Sequence, residues 1–146
     1  MKRVRKFFAL CPTDRRLIAQ ALFWVGIARA SLWLVPFRTV RAVFARWMRD
    51  RDSQTAPTVS SARIAWAITA ASRVIPHASC LTQALAALVL LNRYGYSAEL
   101  KIGVALKDQH ALHAHAWVES NEQVIIGDTA LDQYTPLAQA NALITG

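Results

Sequence analysis

The stretch "PHASCLTQALAALVLLNRYG", residues 76–95, carries the signals of one complete helix. Pro76 stands ahead of it, Ser79 is a candidate N-cap, and Gly95 is a candidate C-terminal stop. The body between them is rich in alanine and leucine, which favours a helix. Cys80 therefore falls on the first turn of this predicted helix.

Downstream of Gly95 the hydrophobic period changes from 3.6 to 2. In "SAELKIGVAL", residues 97–106, apolar residues alternate with polar or small ones, which is typical of a half-buried strand. "HAHAWVE" (113–119) and "VIIGD" (124–128) predict two further strands, separated by "SNEQ" (120–123). The second half of the chain is predicted to be a helix followed by an antiparallel sheet.

Upstream, "RLIAQALFWVGIARASLWLVPF", residues 16–37, is almost as long as the ~20 residues of a membrane-spanning helix. Arg29 would lie near the bilayer centre at a cost of roughly 2.5 to 3.5 kcal/mol. A buried or groove-forming amphipathic helix is therefore favoured over a span. A signal peptide is disfavoured because Asp14, Arg15 and Arg16 lie where its positive region should have ended.

Two more helices are predicted before Pro76. Pro36 ends or kinks the first helix, and the segment after it has an apolar stripe at spacings of three and four, formed by Val40, Val43, Phe44 and Trp47. After a polar connection, "ARIAWAITAASRVI" (62–75) resumes helical composition. The first half is predicted to be helical throughout.

The whole chain has 146 residues, of which 54% are hydrophobic, enough for one compact domain. The predicted fold class is α+β, with N-terminal helices and a central helix packed on a small antiparallel sheet. Residues 1–55 form a basic, apolar helical segment and residues 56–146 form the core of this single domain. Two cysteines, Cys11 and Cys80, give no disulfide framework, so a cytoplasmic protein with free thiols is expected.

Charge is unevenly distributed. Residues 1–51 hold twelve Lys or Arg against two acidic residues, a net of +10, whereas residues 52–146 hold five against seven, a net of −2. A basic half of this kind can contact nucleic acid, an acidic membrane surface or an acidic polypeptide, or can be a solvated helix face. The segment contains no nucleic-acid-binding motif, so nucleic acid is not an expected partner.

A hairpin register connects two residues that could share a proton. If Asn121 and Glu122 are the central residues of a two-residue turn, counting outward places His115 opposite Asp128. Opposed residues have Cβ atoms ~4.5 to 5.5 Å apart, which lets an imidazole hydrogen-bond a carboxylate. An acid in that position would orient His115 as a general base.

Cys80 would supply the nucleophile. Unpaired amides and the helix dipole at a helix N-terminus stabilise a thiolate, as does a nearby imidazolium. Cys80, His115 and Asp128 together form a hypothetical cysteine, histidine, aspartate triad. The simpler interpretation of Cys80 is a buried small hydrophobe.

A metal site competes for the same histidines. His113 and His115, two apart on a strand, share a face and could both bind zinc, with a third ligand from His110, His77, Cys80 or a carboxylate. No Cys-x-x-Cys or His-x-x-x-His spacing supports such a site, so no metal is expected.

The combination of "SCLTQALAALVLLNRYG", "HAHAWVE" and "IIGD" resembles the transglutaminase-like cysteine protease superfamily, and within it the leader peptidases of lasso-peptide biosynthesis. The resemblance covers roughly residues 60–130. It implies that Cys80 is the nucleophile, His115 the general base and Asp128 the orienting acid. His113 matches no required position.

The resemblance also implies a reaction and its partners. A leader peptidase removes the leader from a ribosomally synthesised and post-translationally modified precursor peptide, and a separate ATP-dependent cyclase closes the freed core. No cofactor is implied, and the chain has no Gly-Lys-Ser/Thr loop for ATP. The protease is expected to stand alone, without a fused leader-recognition domain, so a separate recognition protein is implied.

The basic N-terminal half is the expected contact surface for the leader, the recognition protein or a membrane. Its candidate residues are Arg38, Arg41 and Arg46, and Trp117 is a further candidate for substrate or partner binding. Two alternatives remain: another transglutaminase-like acyl-transfer enzyme, and a non-catalytic scaffold associated with membranes through its basic helices.

Overall fold

The computed structural model describes residues 10–49, 57–107, 111–128 and 131–137. Within them the chain forms the helices α1 (Pro12–Leu34), α2 (Phe37–Arg49), α3 (Ser61–Ser72) and α4 (Cys80–Arg93). The strands β1 (Glu99–Lys107), β2 (Ala111–Ser120), β3 (Gln123–Ile126) and β4 (Thr135–Pro136) follow, with a short 3₁₀ turn at Leu131–Gln133. The α+β prediction is confirmed. The predicted boundary between residues 55 and 56 lies outside the described residues.

Helix α4 forms the centre of the core. Its residues 84–91 are all buried, since α1, α3 and the sheet pack around it. The helix ends as its sequence predicts: Gly95 has a φ of +87°, the Gly95 N–H donates to the Asn92 carbonyl at 3.1 Å, and the Tyr96 N–H donates to the Leu91 carbonyl at 2.9 Å. This Schellman arrangement satisfies carbonyls that a helix end leaves unpaired.

Helix α1 is a wall of the core. It begins with Pro12, which suits the first turn of a helix, and it ends before Pro36. One face is buried at spacings of three and four, formed by Leu17, Ile18, Ala21, Trp24, Val25 and Ala28. The predicted apolar helix with a buried face is therefore confirmed for the part that packs on α3 and α4.

Two polar contacts also attach α1 to its neighbours. The Arg63 guanidinium on α3 pairs with Asp14 on α1. The Tyr94 hydroxyl, directly after α4, donates to the Gln20 side-chain oxygen at 2.8 Å. Both contacts bridge distant parts of the chain, so α1 is a structural part of the fold.

The predicted apolar stripe of α2 is only partly buried. Val40 and Phe44 are buried, whereas Val43 is 52% exposed, and the side chain of Trp47 is not among those described. Arg38 and Arg46 on the same helix are exposed. One edge of the apolar face of α2 therefore remains open to solvent.

The sheet is antiparallel with the strand order β3-β2-β1-β4. Residues of one face join the helices in the hydrophobic core, among them Leu100, Ala116 and Val118. Because successive side chains of a strand point to opposite faces, the intervening residues of β2 lie on the face away from α4. His115 and Trp117 are among these.

The N-cap of α4 yields a stability prediction. The Ser79 side-chain oxygen accepts a hydrogen bond from the Thr82 N–H at 3.3 Å, and the two hydroxyls are 3.0 Å apart. Ser79→Ala should lower the free energy of unfolding by about 1 kcal/mol, measured by urea denaturation. Ser79→Asp should retain most of it, since aspartate also caps.

The matched control is Thr69→Ala. The Thr69 hydroxyl donates to the Ala65 carbonyl within α3, an interaction that does not cap a helix, and alanine is the better helix former. This variant should be unchanged or more stable. Equal stability of Ser79→Ala and the unmodified protein would show that Ser79 does not stabilise the start of α4.

Candidate active site

Cys80 is the first residue of α4, next to the N-cap Ser79. It is a free, half-buried thiol that packs against the edge of the hydrophobic core. The first turn of a helix leaves backbone N–H groups without an intrahelical partner, and these create a positive potential at the helix N-terminus. The structure thus places the predicted nucleophile at a capped helix N-terminus, as the sequence indicated.

His115 lies in the middle of β2, half-buried, and pairs with Gly103 of β1. Its Nε2 is 2.8 Å from the Gly127 carbonyl oxygen. Because a carbonyl only accepts, Nε2 must carry the proton and donate it, which leaves Nδ1 unprotonated in the neutral ring. The imidazole is therefore oriented with a basic nitrogen available at Nδ1.

Aromatic rings flank this imidazole. The centroid of the Tyr134 ring lies 5.1 Å from that of His115, with the planes at 34°, and that of Trp117 lies 6.2 Å away at 21°. Offset contacts of this kind contribute about 0.5 to 1.5 kcal/mol each beyond the area that they bury. They restrict the rotation of the ring about its side-chain bonds.

Two glycines make room for this arrangement. A Cβ at Gly103 would lie 2.9 Å from the Trp117 ring and 3.1 Å from the Tyr134 Cβ. A Cβ at Gly127 would lie 2.8 Å from the Trp117 Cβ, and Gly127 has a φ of +86°, which a residue with a side chain rarely adopts. Glycine at both positions lets the aromatic rings and the Gly127 carbonyl approach His115.

A polar network holds Trp117. Its indole N–H donates to Glu119 Oε1 at 2.7 Å, and the Lys101 ammonium pairs with the other carboxylate oxygen. Partial burial acts to raise the pKa of Glu119, but the hydrogen bonds from Lys101 and Trp117 outweigh it and hold that pKa below its ordinary value. Glu119 is therefore a carboxylate at neutral pH and keeps the indole in place.

Trp117 is only 3% exposed, which leaves little of its surface for the substrate or partner contact predicted from the sequence. Its observed contacts instead connect Glu119 to the His115 ring. The spacing of His115, Trp117 and Glu119 at alternate positions of one strand could have revealed this network. Tyr134 and Gly127 could not have been assigned to it, since no motif connects them to the strand.

The hairpin turn was predicted correctly and its register only in part. Asn121 and Glu122 have φ values of +50° and +62°, as a two-residue type I′ turn requires. Glu119 pairs with Val124 as predicted, but Val118 pairs with Ile126. A β-bulge inserts one extra residue into β3 at this point.

The predicted direct pairing of His115 with Asp128 is therefore wrong. Counting outward from the shifted pair Val118 and Ile126 places Gly127 opposite Trp117 and Asp128 opposite Ala116, so Asp128 no longer faces His115, and the Gly127 carbonyl contacts the imidazole instead. Asp128 is exposed and lies two residues beyond the end of β3. The acid is thus one residue away from the atom that the imidazole contacts.

The three predicted catalytic residues lie on three separate elements or their ends. Among the described residues, no hydrogen bond, ion pair or ring contact joins any two of Cys80, His115 and Asp128. Cys80 packs on the helical side of the sheet, whereas the contacts of His115 are on the other face. The structure positions each group but does not join them.

The histidines that the structure describes do not assemble a metal site. Within the described ranges, no three residues among His, Cys, Asp and Glu are grouped so that they could hold a metal ion. His113 is exposed, and His77 is exposed in the turn before α4 with a φ of +58°. His110 lies outside the described residues, as does Asp108 beside it.

The three arginines predicted to bind a substrate or partner lie on α2. Arg38 and Arg46 are exposed on α2, and the side chain of Arg41 is not among those described. This helix precedes α4 in the chain and packs in the helical part of the fold.

Comparison with known proteins identifies the family. A family model described as the transglutaminase-like superfamily matches residues 22–139, a range that includes Cys80, His115 and Asp128 and extends from α1 to beyond β4. No curated protein and no solved structure matches the chain. The superfamily generally contains cysteine peptidases and acyltransferases. Since the match spans most of its length, the chain belongs to the transglutaminase-like superfamily.

Proposed function

We propose that this protein is a cysteine peptidase that removes the leader from a ribosomally synthesised lasso-peptide precursor. One observation carries the proposal: the thiol of Cys80 stands at the capped N-terminus of a buried helix in a transglutaminase-like chain. The narrower assignment to lasso-peptide leaders rests on the resemblance of the Cys80 helix and the "HAHAWVE" strand to those peptidases. We also propose that the protein is located in the cytoplasm.

The proposed reaction has two steps. The Cys80 thiolate attacks the scissile carbonyl carbon, the C–N bond breaks, and the imidazolium of His115 gives its proton to the departing amine of the core peptide. Water, deprotonated by His115, then attacks the thioester and releases the leader with a new carboxylate. Neither step of the proposed reaction uses a cofactor.

We propose that the reactive arrangement forms when substrate or partner binds. A nucleophile and its base must come within about 3 Å of each other, whereas Cys80 and His115 now make separate contacts. Gly127 has the conformational freedom of glycine and is adjacent to Asp128. A backbone rotation there would replace the Gly127 carbonyl by the Asp128 carboxylate as the partner of His115.

The partners in this proposal are the precursor peptide, a separate leader-recognition protein and the ATP-dependent cyclase that uses the product. A recognition protein would deliver the extended leader to Cys80, which explains why the isolated protein need not hold the triad closed.

A second function uses the same residues. If an amine rather than water resolves the thioester, the protein is an acyltransferase, which the superfamily also contains. The two functions differ only in the second step. A product analysis therefore distinguishes them.

Substitution of each proposed triad residue should lower the rate of leader release, whereas substitution of a neighbouring residue should not. With a lasso-peptide precursor and its recognition protein, Cys80→Ala should abolish release of the leader, and His115→Ala should lower its rate by roughly 10³-fold or more. Asp128→Asn should lower it by roughly 10²-fold, since the acid only orients the base. The leader is quantified by mass spectrometry.

His113→Ala is the matched control, because His113 shares the strand and the face of His115 but is exposed. It should retain the unmodified rate. Leader release by Cys80→Ala would refute the peptidase assignment. Glycinamide in the assay tests the second step: a leader that ends in a carboxylate supports hydrolysis, and a leader that carries glycinamide supports acyl transfer.

Glu119 is predicted to act by positioning. Glu119→Gln removes the charge that pairs with Lys101 and weakens the hold on the Trp117 indole, so kcat should fall roughly tenfold with KM little changed. Because the folded pKa of Glu119 lies below its ordinary value, its stabilising effect is present above the ordinary value and is lost as the pH falls through the folded value. The variant should accordingly lose less stability than the unmodified protein on acidification.

The control is Glu122→Gln in the exposed hairpin turn, which should leave both kcat and the acid dependence unchanged. If Glu119→Gln lowered stability at neutral pH but left kcat intact, the network would serve the fold alone.

A further inference from the structure

The C-terminal end of α1 exposes apolar side chains that nothing in the described fold covers. Trp33 is 77% exposed and Leu34 is 71% exposed, and Val35 follows at 37%. Large apolar side chains exposed together at one place indicate a binding surface more often than isolated ones do. We call these three residues the apolar tip.

The exposed apolar surface continues beside α2. A groove of about 350 Å³ lies between α1 and α2. Phe23, 60% exposed, and Val43, 52% exposed, are part of its lining. Ser31 also lines it, and Leu34 lies three residues further along on the same face of α1. The apolar tip is therefore the end of a longer apolar surface on the helical side of the molecule.

The same two helices are strongly basic. Residues 12–49 contain seven arginines and one acidic residue, Asp14, and Asp14 is paired with Arg63 of α3. Arg38 lies three residues after Val35, and both Arg38 and Arg46 are exposed on α2. A ligand of this surface must combine negative charge with an apolar interior.

We propose that the apolar tip and the arginines of α2 bind the surface of an anionic lipid bilayer. Tryptophan is the residue that most favours the bilayer interface, where its ring is half in hydrocarbon and half among head groups. Basic residues beside it add attraction to anionic lipids. An acidic polypeptide would pair with the arginines but would offer less apolar volume to the exposed end of α1.

The contact is peripheral. Helix α1 is long and apolar enough to cross a membrane by length and composition, with 33% of its most apolar window buried. However, its buried face includes Leu17, Ala21 and Val25, and withdrawal of the helix would open the core around α4. Arg29 within the helix also opposes a span. The helix stays in the fold while its end enters the interface.

Vesicle sedimentation tests the proposal without any peptide substrate. The protein should sediment with vesicles of equal parts phosphatidylcholine and phosphatidylglycerol and stay in solution with phosphatidylcholine alone, and high salt should release it. The double variants Trp33→Ser/Leu34→Ser and Arg38→Glu/Arg46→Glu should each lower the bound fraction at least roughly tenfold. Alkaline carbonate should release the bound protein.

The controls are Val74→Ser and Arg73→Glu, an exposed apolar and an exposed basic residue after α3, and both should bind as the unmodified protein does. Circular dichroism verifies that each variant is folded. The proposal is overturned by equal binding to both kinds of vesicle, by binding that the tip and arginine variants share with the controls, or by resistance to carbonate. Polyglutamate binding without vesicle binding would assign the surface to an acidic polypeptide instead.

Discussion

The burial of α4 is the constraint on which the rest of the structure depends. A helix whose residues 84–91 are all buried must be enclosed on every side, and α1, α3 and one face of the sheet supply those sides. The enclosure leaves only its ends accessible. The C-terminal end is closed by the Gly95 turn, so the accessible group at the N-terminal end is Cys80, capped by Ser79. Burial of the helix body thus fixes the place of the candidate nucleophile.

The packing of one face of the sheet on α4 also separates Cys80 from His115. The helical face of the sheet is occupied by Ala116 and Val118, so alternation places His115 on the other face with Tyr134 and the Trp117–Glu119 pair. Gly127 combines a positive φ with direct contact to His115 and is adjacent to Asp128, so the proposed exchange of partners at the imidazole would take place there.

Local rules predicted the elements well. Proline, serine and glycine around α4 predicted its limits, and Asn121 with Glu122 predicted the type I′ turn, since each signal acts within a few residues. The β-bulge was not predictable, because it depends on how Val118 and Ile126 pack under the helices rather than on a turn residue. One inserted residue was enough to move Asp128 out of register with His115. The contact of Tyr134 with His115 likewise depends on β4 pairing with β1.

The most direct measurement is the rate of alkylation of Cys80 at about pH 6, where an ordinary thiol is almost wholly protonated. It should be made in a Cys11→Ser background, because Cys11 is exposed and hydrogen bonds from the Thr13 backbone and side chain lower its pKa. We expect the precursor and its recognition protein, added to this Cys11→Ser protein, to accelerate alkylation of Cys80 before turnover. The further substitution His115→Ala should remove this acceleration. An equal rate with and without His115, in the presence of both partners, would contradict the claim that His115 activates Cys80.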